Sequence, residues 1–169
     1  MDEHAPVTGV GLRPLSRDDE AAVAALLGVT FADKTAAMIP GDPGLAAAVM
    51  AGLAYHSRGW VAYAGNEVVG LLLLWENDGV RRAKADWPSV RRRLPLRAAL
   101  HAWLFLLAFY WIRFPADVLL IDTLAVFPAR QNGGIGRLLL DRGVGEARRL
   151  GRRAVRLYCL PSNERAHAF

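Results

Sequence analysis

The chain has 169 residues, enough for one domain with a sizeable core, and 53% of them are hydrophobic. Its net charge of +5 is compatible with nucleic acid, an anionic membrane or a polyanionic cofactor, and does not choose among them. The single cysteine, Cys159, excludes an internal disulfide and a Cys-rich metal site, and no metal centre is expected. The polar, acidic N-terminus lacks the apolar stretch of a signal peptide, which predicts a cytoplasmic protein.

The first half of the chain predicts one strand, three helices and a hairpin. A strand over Val10–Leu15 leads to Ser16, and Asp19 follows at the spacing of a capping box before a helix over Glu20–Leu27. The turn pair Gly65-Asn66 indicates a hairpin between two apolar strands. The further helices and the two hairpin strands are predicted over Phe31–Met38, Leu45–His56, Trp60–Ala64 and Val68–Trp75.

The segment 76–116 is too long for a hairpin loop, and it contains a basic stretch followed by the apolar run Ala98–Ile112. As a helix, this run would span about 22 Å, short of the roughly 30 Å core of a bilayer. A helix that is apolar on all sides is buried, docked on a partner or in contact with lipid. We favour a homodimer interface or a lid over the sheet; a membrane-surface contact and a true span are the alternatives. The basic cluster between Arg81 and Arg97 is typical of a solvated face, and no nucleic-acid partner is expected.

The stretch from Val118 to Leu140 predicts an anion site. An apolar run over Val118–Val126 is typical of a buried strand, and Pro128 ends it. A glycine-rich loop follows and leads into an amphipathic helix over Gly136–Leu150. The free N–H groups at a helix start favour phosphate or pyrophosphate. Beyond it, the sequence predicts a strand over Ala154–Leu160, a turn over Pro161–Asn163 and the first turn of a helix over Glu164–Phe169.

Two motifs in this half resemble the GCN5-related N-acetyltransferases, the acetyl-CoA-dependent GNAT superfamily. The signature of that family is Gln or Arg, two residues, Gly, one residue, then Gly or Ala, and Gln131, Gly134 and Gly136 match it behind the strand end LAVFP. The run Leu160–Ala166 resembles the turn after the fifth strand of the family, where an Asn opens the next helix. The resemblance implies an α/β GNAT fold over 1–169, a mostly antiparallel mixed sheet flanked by helices.

The resemblance also implies a function and a set of site residues. It implies transfer of acetyl from acetyl-CoA to a primary amine of a small molecule or peptide, by direct attack in a ternary complex. The non-enzymatic alternative is a CoA-binding or membrane-peripheral protein on the same fold. The implied cofactor-binding residues are Leu124, Ala125, Val126, Gln131, Asn132, Gly133, Gly134, Ile135, Gly136, Arg137 and Asn163.

The chain departs from the family pattern in two places. The segment 76–116 stands where the family has a short connection between its third and fourth strands, so it is expected to be a helical insertion. The sequence also ends at Phe169, just before the position of the general-acid Tyr of the family and before its last two strands. The resemblance therefore implies that the natural chain continues or that this one is truncated.

Asp122 is the candidate catalytic base. It is the one carboxylate inside the predicted strand, and simple alternation puts it on the same face as Leu124 and Val126. The family often has an acid here, and amine acetylation needs a base because the attacking nitrogen must be neutral. The alternative is a structural carboxylate; Glu76 and Asp117 at strand ends are weaker candidates for the base.

Four other reactive side chains are predicted to be structural. His56 is expected at the surface, His101 satisfied or at an interface, Cys159 in the core, and Tyr158 packed in its strand.

Overall fold

The structure is a computed structural model that describes residues 9–76, 79–110 and 114–159, without the side chains of 79–85 and 108–110. Leu160, the predicted turn over 161–163 with the cofactor residue Asn163, and the predicted helix over 164–169 lie outside the described residues.

The described elements follow the predicted order of strand, helices, hairpin, helical insertion, strand, helix and strand. The strands are β1 (Val10–Pro14), β2 (Arg58–Ala64), β3 (Glu67–Trp75), β4 (Val118–Val126) and β5 (Ala154–Leu157). The helices are α1 (Glu20–Thr30), α2 (Ala32–Met38), α3 (Pro43–Ala54), α4 (Gly79–Arg93), α5 (Leu96–Tyr110) and α6 (Ile135–Arg149). Short 3₁₀ turns lie at Arg17–Asp19 and Pro128–Arg130.

The strands form one sheet in the order β1-β2-β3-β4-β5. The first three pairings are antiparallel, and β4 pairs with β5 in parallel. A parallel pair needs a crossover, and α6 supplies it. The predicted mostly antiparallel mixed sheet flanked by helices is therefore confirmed.

Helices cover both faces of this sheet. On one face, Ile135 and Leu139 of α6 pack into a cluster with residues of β2, β3 and β4. On the other face, Leu26 and Leu27 of α1 and Ala51 of α3 pack on the inner residues of the same strands. The middle strands β3 and β4 are covered on both sides, which accounts for their largely apolar sequence.

The segment between β3 and β4 folds as two helices, and not as the single apolar helix that the sequence predicts. The basic stretch becomes α4, although Pro88 lies inside it. Ala99, Ala102 and Leu106 of α5 are buried in a cluster with residues of α2, α3 and α4. The expected lid over the sheet is therefore wrong for the described part of α5, which covers a layer of helices.

Two of the structural predictions for reactive side chains are corrected. His56 is exposed as predicted, and its Nδ1 pairs with the carboxylate of the fully buried Asp86 in α4. Cys159 and Tyr158 are exposed, because β5 ends at Leu157 and both residues lie beyond the last paired position. His101 has a partner as predicted, since its Nε2 lies 3.3 Å from the carbonyl oxygen of Ala37.

No single helix among the described residues is long and apolar enough to cross a membrane, although the bent pair Arg17–Thr30 and Ala32–Met38 passes the same test of length and composition.

Candidate functional site

The candidate site begins where β4 and β5 separate. Their parallel register runs from Val118↔Ala154 to Ile121↔Leu157, where β5 ends. β4 continues to Val126 and stays paired with β3 on its other side. Within the described part of the chain, the edge of β4 beyond Ile121 is therefore open.

The hydrogen-bond pattern decides which backbone groups line this edge. The N–H of Phe127 donates to the carbonyl of Val69 in β3 at 3.0 Å. In an antiparallel pair, the backbone N–H and C=O groups of successive residues face opposite sides of the strand. Ala125, two residues before Phe127, therefore also faces β3. Leu124 and Val126 then direct their N–H and C=O groups to the open edge.

Gln131 connects the loop to the end of β4. Its side-chain Nε2 donates to the carbonyl of Val126 at 3.1 Å, on the side away from β3. Before it, the 3₁₀ turn is closed by the Arg130 N–H, which donates to the carbonyl of Phe127 at 2.8 Å. The loop is thus folded back beside the strand end.

The loop reverses into α6 through two residues with left-handed backbone. Asn132 has φ 64° and Gly134, the N-cap of α6, has φ 78°. Asn tolerates this region and Gly adopts it without steric cost, so both residue types suit their positions. The N-cap has no side-chain capping bond, which leaves the N–H groups of the first turn of α6 for another acceptor.

α6 packs closely on β3 at Gly70, which fixes the start of the helix beside the end of β4. A Cβ added to Gly70 of β3 would lie 3.0 Å from Leu139 Cδ1, 3.1 Å from the Ala125 carbonyl oxygen and 3.3 Å from Ile135 Cγ2. Gly70 was not among the predicted site residues. A glycine inside an otherwise apolar strand was the available signal, because it indicates a bulge or a close contact.

Two arginines beside the loop carry positive charge and form only exposed ion pairs. Arg130 lies 3.5 Å from Glu67, and Arg137 lies 3.1 Å from Asp141. Exposed ion pairs of this kind contribute about 0–1 kcal/mol, so either guanidinium can turn to a stronger anion. Together with the helix dipole, they make this end of the sheet favourable for phosphate groups.

Asp122 lies at the separation point, in an irregularity of β4. Leu73 pairs with Thr123 while Leu74 pairs with Ile121, so the register skips Asp122. This extra residue shifts the alternation of side chains between the two faces of the sheet by one position. Ile121 and Leu124 are three residues apart and would face opposite sides in a regular strand, yet both pack on the α6 side. The Asp122 side chain is half-buried and accepts a hydrogen bond from Thr123 Oγ1 at 3.3 Å. Simple alternation was thus an unsafe guide at this residue.

The two weaker candidate bases are held in ion pairs at the opposite end of β4. Burial raises the pKa of Glu76, but hydrogen bonds from Arg152 and Arg58, at 2.9 and 3.2 Å, outweigh it and leave the pKa below its usual value. Asp117 pairs with Arg153. Both acids therefore serve the join between β4 and its neighbours.

The structure brings most of the predicted cofactor residues around one opening. Leu124, Val126 and the run 131–137 lie at the end of β4 and the start of α6. Ala125 is the exception, because its backbone faces β3 and its side chain is buried on the α1 side.

Comparisons with known proteins give one family and one fold. A model of the Acetyltransferase (GNAT) family matches residues 49–169. None of the curated proteins is a significant match. The chain is similar to the crystal structure of SsHAT, with 24% identity, coverage of 95% of this chain and 88% of the other, and a TM-score of 0.68.

Two further solved structures share the fold at lower identity. AAC(6')-Iy in complex with the bisubstrate analogue CoA-S-monomethyl-acetylneamine has 12% identity, a TM-score of 0.60, and coverage of 94% of this chain and 85% of its own. A GNAT family acetyltransferase from Brucella melitensis in complex with acetyl-CoA has 16% identity, a TM-score of 0.55, and coverage of 95% and 82%.

Proposed function

The chain belongs to the GNAT acetyltransferase family, and we propose that it transfers acetyl from acetyl-CoA to a primary amine of a small molecule or peptide by direct attack in a ternary complex. The observation that carries the proposal is the open edge of β4 beside the uncapped start of α6. The solved complexes of fold relatives with acetyl-CoA and with a CoA bisubstrate analogue support the choice of donor.

The donor would bind along this edge and loop. The N–H groups of residues 132–137 would hold the CoA pyrophosphate, because a polyanion needs several convergent donors. The Gln131 N–H already donates to the Pro128 carbonyl at 3.3 Å, so Gln131 would contribute through its side chain. The backbone groups of Leu124 and Val126 would bond the pantetheine arm as a neighbouring strand would. Ala125 is left out of this set, because its backbone bonds with β3.

Catalysis would come mainly from holding amine and thioester together in attack geometry. The amine nitrogen attacks the thioester carbon, the Leu124 N–H polarises the carbonyl oxygen, and the C–S bond breaks to release the CoA thiolate. Asp122 would accept the proton that the amine loses, because only a neutral nitrogen can attack. Its position where β4 and β5 separate supports this role.

The acceptor should carry few positive charges. Residues 31–50, which include α2, contain only Asp33 and Asp42 as acids. Asp42 is engaged in capping α3, where its Oδ1 accepts from the Leu45 N–H at 2.8 Å. The acetylneamine group bound in the AAC(6')-Iy complex is therefore not proposed as a guide to the acceptor of this chain.

The proposed chemistry is tested by replacing Asp122. With acetyl-CoA and a panel of primary amines, thiol release should be amine-dependent, and Asp122→Asn should lower kcat about 10²- to 10⁴-fold near neutral pH. Affinity for acetyl-CoA, measured by calorimetry, should not change. Asp117→Asn is the matched control, because that acid pairs with Arg153 at the other end of β4. Full turnover in Asp122→Asn would reject Asp122 as the base. If acetyl-CoA binds but no amine releases thiol, the non-catalytic alternative is favoured.

A further inference from the structure

The outer side of α5 presents a line of leucines to solvent. Leu96, Leu100 and Leu104 are 53%, 47% and 67% exposed, and their spacing of four residues places them on one side of the helix. The opposite side of α5 is occupied by its packing on α2, α3 and α4. These three residues are called the leucine stripe below.

The α4–α5 pair around this stripe is strongly basic. Residues 79–110 contain seven Arg and Lys and a single acid, Asp86. Asp86 is fully buried against His56, so its charge is not presented beside the stripe. Arg91, Arg92 and Arg97 are exposed at the turn between the helices, next to Leu96. The neighbouring α2 adds one charge of each sign, Asp33 and Lys34.

Two tryptophans lie within the same pair of helices. The rings of Trp87 and Trp103 are 5.2 Å apart between centroids, and both side chains are half-buried. Trp103 lies beside Leu100 and Leu104 in sequence, within one turn of the stripe. Half-buried tryptophan next to exposed leucine and arginine is the composition of a helix that lies in a membrane interface.

A second copy of the chain fits this surface poorly. Three half-exposed leucines offer on the order of 100–200 Å² of apolar surface, whereas a stable interface buries about 800 Å² on each partner. An anionic lipid surface requires no large complementary patch, and its charge is opposite to that of the stripe's surroundings.

We propose that the leucine stripe, with Arg91, Arg92 and Arg97, is a peripheral docking surface for an anionic lipid bilayer. The leucines would enter the boundary between headgroups and acyl chains, and the arginines would contact lipid phosphates. α5 would lie in the plane of the surface, because its 15 residues span about 22 Å as a helix and a bilayer core needs roughly 30 Å. This proposal does not depend on the acetyl-transfer chemistry.

The test is sedimentation of the purified chain with vesicles of phosphatidylcholine, with and without phosphatidylglycerol. Binding should require the anionic lipid and should weaken as salt is raised, because exposed charges are screened. The double variant Leu100→Ser/Leu104→Ser should reduce vesicle binding at least about tenfold, because each substitution removes exposed apolar surface from the leucine stripe. The triple variant Arg91→Gln/Arg92→Gln/Arg97→Gln should lose the preference for anionic vesicles.

Matched controls come from other helices of the chain. Val29→Ser removes an apolar side chain that is 57% exposed on α1, and Arg148→Gln removes an exposed charge on α6; neither should alter vesicle binding. Quenching of tryptophan fluorescence by brominated lipid gives a second readout on the unmodified chain. The proposal is overturned if the chain ignores anionic vesicles, if it binds neutral vesicles equally, or if it forms a dimer that Leu104→Ser dissociates.

Discussion

Gln131 shows how one side chain can prepare a backbone site. Its amide donates to the carbonyl of Val126, one of the two residues whose backbone groups face the open edge of β4. The bond ties the loop of N–H groups to the strand against which the pantetheine arm would lie. Gln131 would thus act by positioning the two parts of the donor site relative to each other.

Replacing Gln131 by Ala should therefore weaken donor binding. A hydrogen bond of this kind contributes about 0.5–1.5 kcal/mol, so the Kd for acetyl-CoA should rise about 2- to 13-fold. The melting temperature should change little, since the bond lies at a loop. Calorimetric titration measures the change; Gln131→Glu, which replaces the donor amide with a carboxylate, should be worse than Ala. An unchanged Kd in both variants would show that the loop needs no such tie.

Asp19 and Arg13 form an ion pair that links β1 to the start of the first helical segment. Arg13 donates to both carboxylate oxygens of Asp19, at 2.7 and 2.6 Å, and the Ser16 N–H donates to Asp19 Oδ2 at 2.9 Å. The bond from Arg13 is the main cause that lowers the pKa of Asp19 below its ordinary value, despite burial. The ionised form is therefore the one that stabilises the fold.

The sign of the pH effect follows from this lowered pKa. The stabilisation is fully present above the unfolded pKa of about 3.9 and is lost as pH falls through the lower folded value. Asp19→Asn should cost about 1–2 kcal/mol at pH 7, a range reduced because Arg13 is partly open to solvent. Thermal unfolding from pH 7 down to pH 3 should show the two proteins converging. Asp18→Asn, at the exposed neighbouring position, is the control. A difference that stays constant down to pH 3 would contradict the role of ionisation.

At the scale of elements, the packing of α6 on β3 depends on Gly70. An added methyl group would meet the Ala125 carbonyl, which is backbone and cannot rotate away, as well as Leu139 and Ile135. Gly70→Ala should reduce stability by about 1–3 kcal/mol and also weaken acetyl-CoA binding, because it shifts the start of α6 from the end of β4.

Gly145→Ala is the matched control for that substitution. Gly145 lies inside α6 with nothing within 4 Å of an added Cβ, so alanine should stabilise the helix by up to about 1 kcal/mol. Thermal unfolding and acetyl-CoA titration measure both variants. If Gly70→Ala were as stable as the starting chain, the close approach of α6 would not be the feature that sets the site.

The elements with the strongest local patterns were the ones predictable from the sequence. The apolar runs that became β3 and β4, and the hairpin turn at Gly65-Asn66, encode their structure in consecutive residues. α4 was missed because its sequence is basic and contains Pro88. Its helix is supported by contacts with distant parts of the chain, since Val90 and Trp87 pack in a cluster with residues of α3 and α5. The register slip at Asp122 leaves no trace in composition, because it is set by pairing with β3.

At the scale of the whole molecule, the donor side of the site is built from one short stretch of sequence, whereas the acceptor side is built from residues far apart in sequence. The donor side lies within residues 124–137, where backbone groups do the binding and the spacing of Gln and Gly marks them. An acceptor pocket needs side chains from separate helices, and no spacing along the chain identifies which of them meet. The pairing of His56 with Asp86, 30 residues apart, is an example of such a contact.

The central claim is that the end of β4 and the start of α6 form an acyl-CoA site, and calorimetric titration with acetyl-CoA tests it most directly. We expect saturable binding of one acetyl-CoA per chain, competition by CoA and no binding of NAD. Gly134→Val should weaken binding at least about tenfold, because a β-branched residue cannot adopt φ 78° at the N-cap without strain. Absence of binding by both CoA compounds, or equal binding of NAD, would contradict the account.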